Sequence, residues 1–149
     1  MDTSETYIKM CDCEEIQGQW EPSIGDYIGG DWFIDQEDNI GKTFLGIIRR
    51  LKPEGKDDCV DCGGDIFWAI ESNIWLPRQD QLQEMVGKYD LPNLLVEFYC
   101  FVSGRVPLTN EIVSEPKWAE FTSMEQLWLA FVMKEKYNKT WDGEEWKSV

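Results

Sequence analysis

Histidine is missing from this sequence altogether, and positive charge is scarce: fourteen Lys and Arg stand against twenty-nine Asp and Glu, for a formal charge of −15. The lack of histidine removes the commonest general base, the usual nucleophile–histidine triads and most zinc-enzyme sites. The shortage of bases disfavours direct binding to a nucleic-acid backbone, whose affinity comes from Lys and Arg on phosphates. No apolar run approaches the ~18 residues of a membrane span, so no membrane association is expected. Met1 to Met10 has neither a basic start nor a greasy stretch, so no secretory signal is expected.

What remains is enough to fold. The 149 residues suit one compact domain spanning 1–149, and a chain of this size buries roughly 68–70% of the surface it exposes when unfolded. A hydrophobic fraction of 42%, with eight Trp, seven Phe and five Tyr, argues against disorder despite the charge.

The five cysteines (Cys11, Cys13, Cys59, Cys62, Cys100) are an odd set in a chain without a secretory signal, which points to a reducing compartment and free thiols. Cys59-Val60-Asp61-Cys62-Gly63-Gly64 has the form of a zinc-knuckle turn, and Cys11 and Cys13 would complete four thiolates. Against this, Cys11 and Cys13 fall on a predicted helix, where residues two apart point nearly oppositely. A thioredoxin-like role is weaker, because Gly63, Gly64 and Asp65 break the helix that such a motif opens. Cys100, among Phe98, Tyr99, Phe101 and Val102, reads as a core residue.

Periodicity gives an α+β reading: a small, mostly antiparallel sheet from the middle of the chain, packed against three to four helices. Ser4 to Gln17 reads as a helix capped by Ser4 and stopped by Gly18. Short strands follow at Tyr27–Ile28 and Trp32–Ile34, a clear one at Thr43–Leu51, then a polar loop from Lys52 to Asp65. Ile66–Ile70 and Ile74–Leu76 continue the sheet. A helix entered through Pro77 buries Leu82 and Met85 or Val86 and ends at Gly87. The next, capped by Asp90 and stopped by Gly104, carries Leu91, Leu94, Leu95, Phe98 and Phe101 or Val102 as its inward stripe. Thr122 and Glu125 form a capping box before Leu127–Met133, which is apolar on every side and therefore central. Asp142-Gly143 turns a terminal hairpin that can bring Trp141 and Trp146 together on one face; these two are the interface candidates among the tryptophans, while Trp128 is core.

Several catalytic or metal motifs fail on inspection. Asp35 to Gly41 resembles the start of a calcium loop, but positions six and twelve hold Ile40 and Gly46 in place of Gly and Glu. Gly25 to Gly30 is not followed directly by Gly-Lys-Ser/Thr, so it is no phosphate loop. No specific carboxylate pair stands out among so many acids. The chain is expected to be non-enzymatic, with no cofactor.

Charge is distributed unevenly. Residues 1–41 hold eleven acids against Lys9, a net of −10, whereas residues 42–56 hold five bases against Glu54. Such a field favours encounter with a basic protein surface. Asp26, Asp31, Asp35, Glu37 and Asp38 are the expected contact residues, with Tyr27 and Trp32 as aromatic anchors. The bland alternative is an acidic face that only confers solubility.

Two stretches, Trp75 to Met85 (WLPRQDQLQEM) and Ser123 to Trp146 (SMEQLWLAFVMKEKYNKTWDGEEW), resemble small acidic accessory proteins encoded by phages and prophages of Gram-positive bacteria; Tyr7–Cys11 and Glu14–Gln17 are similar as well. The resemblance covers about half the chain and carries no catalytic residues. It implies a phage protein acting in the bacterial cytoplasm. Combined with the acidic N-terminal region, the expected function is inhibition of a basic nucleic-acid-binding host protein, as in counter-defence of the anti-CRISPR kind. The alternatives are a nucleotide-like signal held by Arg49, Arg50 and Lys52, or a structural phage component with zinc at the cysteines. Arg49 and Arg50 fall on opposite faces of a strand, which weakens the former. The sequence leaves the oligomeric state open.

Overall fold

The computed structural model describes residues 1–21, 23–30, 33–34, 40–41, 44–50, 59–62, 65–69, 74–87, 90–106, 109–112 and 114–149. The architecture is α+β, and the chain divides into two compact units, Thr3–Arg78 and Gln79–Val149 with Met1–Asp2.

In the first unit, the helix expected over 4–17 is two helices, α1 (Glu5–Cys11) and α2 (Glu14–Gln17), separated by Asp12 and an extended Cys13. Burial explains the break. At 100° per residue, Ile16 would lie half a turn away from Tyr7 on one continuous helix. Re-aiming the chain at residues 12–13 lets Tyr7, Met10, Cys11 and Ile16 all become buried.

Seven strands form one sheet: β1 (Tyr27–Gly30), β2 (Phe33–Ile34), β3 (Ile40–Gly41), β4 (Phe44–Arg50), β5 (Cys59–Cys62), β6 (Asp65–Ala69) and β7 (Ile74–Leu76). Their order is β3-β2-β6-β5-β4-β1-β7, and every pairing is antiparallel. Strand β5 lies where the sequence reads as a polar loop. Its residues pair with both β4 and β6, so long-range ladder bonds override weak local propensity. The register slips between Ile48 and Arg50, a bulge at Arg49.

A turn at Ser23–Asp26 feeds β1. The Asp26 amide donates to the Ser23 carbonyl (3.1 Å), and Gly25 holds φ +96°, as the third position of a type II turn requires. At the edge strand β7, alternate residues turn both peptide groups away from the neighbouring strand. Trp75 is the residue so placed, and the Gln17 side chain takes up both of its groups. Its Oε1 accepts from the Trp75 amide (2.9 Å), and its Nε2 donates to the Trp75 carbonyl (3.1 Å) and to the Cys11 carbonyl (2.8 Å). Tyr7 adds a third tie, its hydroxyl donating to the Pro77 carbonyl (2.6 Å).

The second unit is helical: α3 (Gln79–Val86), α4 (Leu91–Ser103), α5 (Met124–Tyr137) and a 3-10 turn at Lys117–Ala119, with a hairpin of β8 (Lys139–Trp141) and β9 (Trp146–Ser148). Gln126 to Met133 are all buried, so α5 is the centre of this unit, as its apolar circumference implies. Phe98 stacks flat on Trp128 (centroids 3.8 Å, 1°), and Phe131 meets both rings edge-on. The cap of α5 sits one residue later than expected. Ser123, not Thr122, accepts from the amide three residues on, Gln126 (3.1 Å), and the Gln126 Oε1 accepts from the Thr122 amide (3.1 Å). Gln126 reaches back as well as Glu does, and because it is neutral it can do so while buried.

Both ends of α4 follow the sequence. The Asp90 carboxylate accepts from the Asn93 amide (3.0 Å), and Gly104 closes the helix at φ +66° with its amide on the Cys100 carbonyl. A Cβ at Gly104 would collide with the Ser114 carbonyl oxygen, so the following loop crosses where only glycine leaves room.

Replacing Gln17 by Leu strands the outward peptide groups of Trp75. We expect a loss of about 1–3 kcal/mol, read as a lower urea midpoint at unchanged slope; an unchanged midpoint would show that the edge is not held by this amide.

Candidate functional site

The residues expected to meet a partner begin at Asp26, whose carboxylate is turned inward. Asp26 is 2% exposed. Its Oδ2 accepts from the Trp20 indole (3.0 Å) and the Ser23 amide (2.9 Å), and its Oδ1 lies 3.6 Å from Nη1 of Arg78. Arg78 also donates to the Gly25 carbonyl (3.3 Å). The Trp20 ring in turn lies parallel to Trp75, with centroids 6.3 Å apart. Asp26 is therefore removed from the contact set: its carboxylate organises the turn before β1 and cannot reach a partner surface. Charge counting missed this because Trp20, Ser23 and Arg78 converge only after folding.

Tyr27, the next expected contact, is half-buried on β1 between Ile47 and Leu76. Asp31, Trp32, Asp35, Glu37 and Asp38 lie outside the described residues. Of the other N-terminal acids, Asp2 is engaged by the Ser123 hydroxyl (2.5 Å) and the Gln126 amide (2.7 Å). Glu5, Asp12, Glu14 and Glu21 are exposed, and Lys9, the single base of that stretch, already pairs with Glu5 at 3.4 Å. The structure thus divides the acids: some serve as internal acceptors, while others stay on the surface.

Cys59 and Cys62, read from sequence as part of a polar loop, are the first and last residues of β5. Cys11 is buried and Cys13 half-buried at the break between α1 and α2. Cys100, expected in the core, is only partly covered. Arg49 and Arg50, the phosphate candidates, end β4 at its bulge.

The terminal hairpin does bring its tryptophans together: Trp141 pairs with Trp146, rings edge to face at 5.1 Å. Its loop is four residues rather than an Asp-Gly pair, because Asp142 acts as an internal cap. Its Oδ1 accepts from the Glu144 and Glu145 amides (both 2.9 Å), and its Oδ2 from Lys147 (2.7 Å). These donors hold the Asp142 carboxyl far below the usual carboxylate range, and the same pair raises the Lys147 ammonium above its usual value. Phe101, Lys117, Glu120, Phe121, Ala130, Thr140 and Trp141 line a cavity of about 10 Å³, space for one water.

A surface that sequence reasoning missed lies on α4. Its inward side, Leu94 and Phe101, is buried as expected, but Leu91 (68% exposed), Leu95 (56%), Val96 (46%) and Tyr99 (51%) face solvent. The signal was present in the sequence: among thirteen residues Glu97 is the only charge, and the apolar positions are too many for one stripe. Among the described residues no helix is long and apolar enough to cross a membrane.

No family model, curated protein or solved structure matches the chain.

Two outcomes test these assignments. Asp26→Ala leaves the indole and the Ser23 amide without their acceptor, and should cost about 2–3 kcal/mol in denaturant titrations; a surface contact residue would cost almost nothing. The depressed Asp142 adds hairpin stability that is complete above the unfolded value of 3.8 and is lost as pH falls toward the folded one. Near-ultraviolet dichroism of the Trp141–Trp146 pair should hold from pH 7 to about 4 and decay only below that range. Decay centred near neutrality would contradict the capped turn.

Proposed function

We propose that this chain is a non-enzymatic binding protein of a phage or prophage, acting in the bacterial cytoplasm on a host protein with a basic surface. The observation that carries the reading is the exposed set Asp12, Glu14 and Glu21, beside which the single base of the stretch in sequence, Lys9, is already paired with Glu5. Acids arranged in this way present uncompensated negative charge to an approaching partner, and a nucleic-acid-binding channel is the protein surface most enriched in the opposite sign. Occupation of that channel by carboxylates displaces phosphate without chemistry, which is the logic of a counter-defence inhibitor of the anti-CRISPR kind. The resemblance of the Trp75–Met85 and Ser123–Trp146 stretches to phage accessory proteins supports the same setting.

The test is capture from lysate of a Gram-positive host at low and high salt, comparing the native protein with a Glu5→Lys, Asp12→Lys, Glu14→Lys, Glu21→Lys variant. Basic nucleic-acid-binding proteins should be recovered at low salt, be lost with the variant, and release bound DNA or RNA on addition of the native protein. Recovery that is indifferent to salt and to charge reversal would overturn the reading.

A further inference from the structure

Asp142-Gly143 is the one place in the sequence where an aspartate or asparagine precedes glycine. At such a step the glycine amide, unhindered by a side chain, can attack the aspartate carboxyl. The Gly143 nitrogen bonds to Cγ and loses its proton, one Cγ oxygen leaves as water, and a succinimide ring closes. Water then adds to one of the two imide carbonyls and breaks its bond to that nitrogen. Addition at Cγ restores the aspartate. Addition at the main-chain carbonyl leaves the chain running through Cβ and Cγ, an isoaspartate of unchanged composition.

We propose that Asp142-Gly143 is a self-modification site gated by the terminal hairpin: the closed turn keeps the aspartate, and the open turn converts it to isoaspartate. This goes beyond the acidic surface and does not depend on it. Sterics do not supply the gate. Asp142 and Gly143 are both exposed, and nothing lies within 4 Å of where a Cβ on Gly143 would stand. The gate is the set of contacts on the carboxylate. Its Oδ1 accepts from the Glu144 and Glu145 amides (both 2.9 Å), which fill its lone-pair sites, and its Oδ2 accepts from the Lys147 ammonium (2.7 Å).

Ring closure requires the reverse of this arrangement. An oxygen must be protonated before it can leave as water, and Cγ must turn toward the Gly143 nitrogen. All three donors favour the anion, which is a poor electrophile, and they hold the carboxyl far below its usual range, so the neutral acid is scarce. The main chain is held as well: Trp141 pairs with Trp146, and the Asp142 amide donates to the Glu145 carbonyl (3.2 Å).

The gate sits on a short element. Strands β8 and β9 have three residues each, none of them buried, and such a hairpin belongs to the parts of a fold that open locally. Conversion adds a methylene to the main chain at residue 142 and hangs the carboxylate directly on Cα, so the same oxygens no longer reach both amides. An opening of the hairpin is thereby recorded covalently.

The full-length chain is held at neutral pH and physiological temperature, folded and in urea. Isoaspartate is then located in the tryptic peptide that begins at Thr140 by electron-transfer fragmentation, which separates the β-linked residue from the ordinary one. The unfolded chain should convert about tenfold faster or more, the factor by which the neutral acid becomes commoner for each pH unit that its titration moves back up. Lys147→Met, which leaves both amide donors in place, should raise the folded-state rate severalfold, and Lys147→Arg should restore protection. Added salt should speed the native chain and leave Lys147→Met unaffected. Chains converted in urea and returned to native buffer should lack the Trp141–Trp146 dichroism in proportion to their isoaspartate. A folded chain that converts as fast as the unfolded one, or a folded-state rate unchanged by Lys147→Met, overturns the inference.

Discussion

With twice as many acids as bases, this chain cannot neutralise its carboxylates by pairing them with Lys and Arg, and the fold depends on another source of donors. It uses peptide, hydroxyl, amide and indole hydrogens. Asp26 takes the Ser23 amide and the Trp20 indole, Asp90 the Asn93 amide, Asp142 two consecutive amides, and Asp2 a hydroxyl and a side-chain amide. Asp26, Asp90 and Asp142 lie at a turn or a helix start, where backbone donors are otherwise unmatched, and Asp2 meets side-chain donors at the start of α5. The same placement lets an acidic chain terminate its elements sharply. Positive side chains join at Asp26 (Arg78) and at Asp142 (Lys147), but in neither is a base the only partner.

The parts of the fold that were legible in the sequence are those set within a few residues. Asp90 and Gly104 bound α4 because cap chemistry is local, and α5 announces its burial through a run of apolar residues with no polar side. The α+β class follows from the same patterns. What escaped was decided by distant partners. The sequence around Cys59–Cys62 has little strand character, yet β4 and β6 flank it and supply a ladder on each side. The break at residues 12–13 depends on the need to bury Ile16 along with Tyr7, which no local propensity expresses. The shift of the α5 cap from Thr122 to Ser123 is a one-residue competition between two hydroxyls, settled by where Gln126 and Asp2 meet.

The candidate site divides in a similar way. Counting charges located an acidic region but could not separate carboxylates that point outward from those absorbed by the fold, and Asp26 belongs to the second kind. Counting apolar residues on α4 located a helix but assigned Leu91 and Leu95 to the interior, because a single stripe was assumed. Exposure residue by residue, and not the count of charges or of apolar residues, thus separates what the fold uses from what it leaves on the surface.

The Gln17 amide on β7 has one more consequence. A strand at the margin of a sheet is an open template on which another polypeptide can crystallise into cross-β aggregates, and proteins usually blunt such margins with lysine, proline or a covering loop. Here a glutamine side chain imitates a peptide unit and occupies the outward hydrogen-bonding positions of Trp75. A chain nascent on the ribosome that has closed this clasp has one fewer place at which its copies can stick together irreversibly.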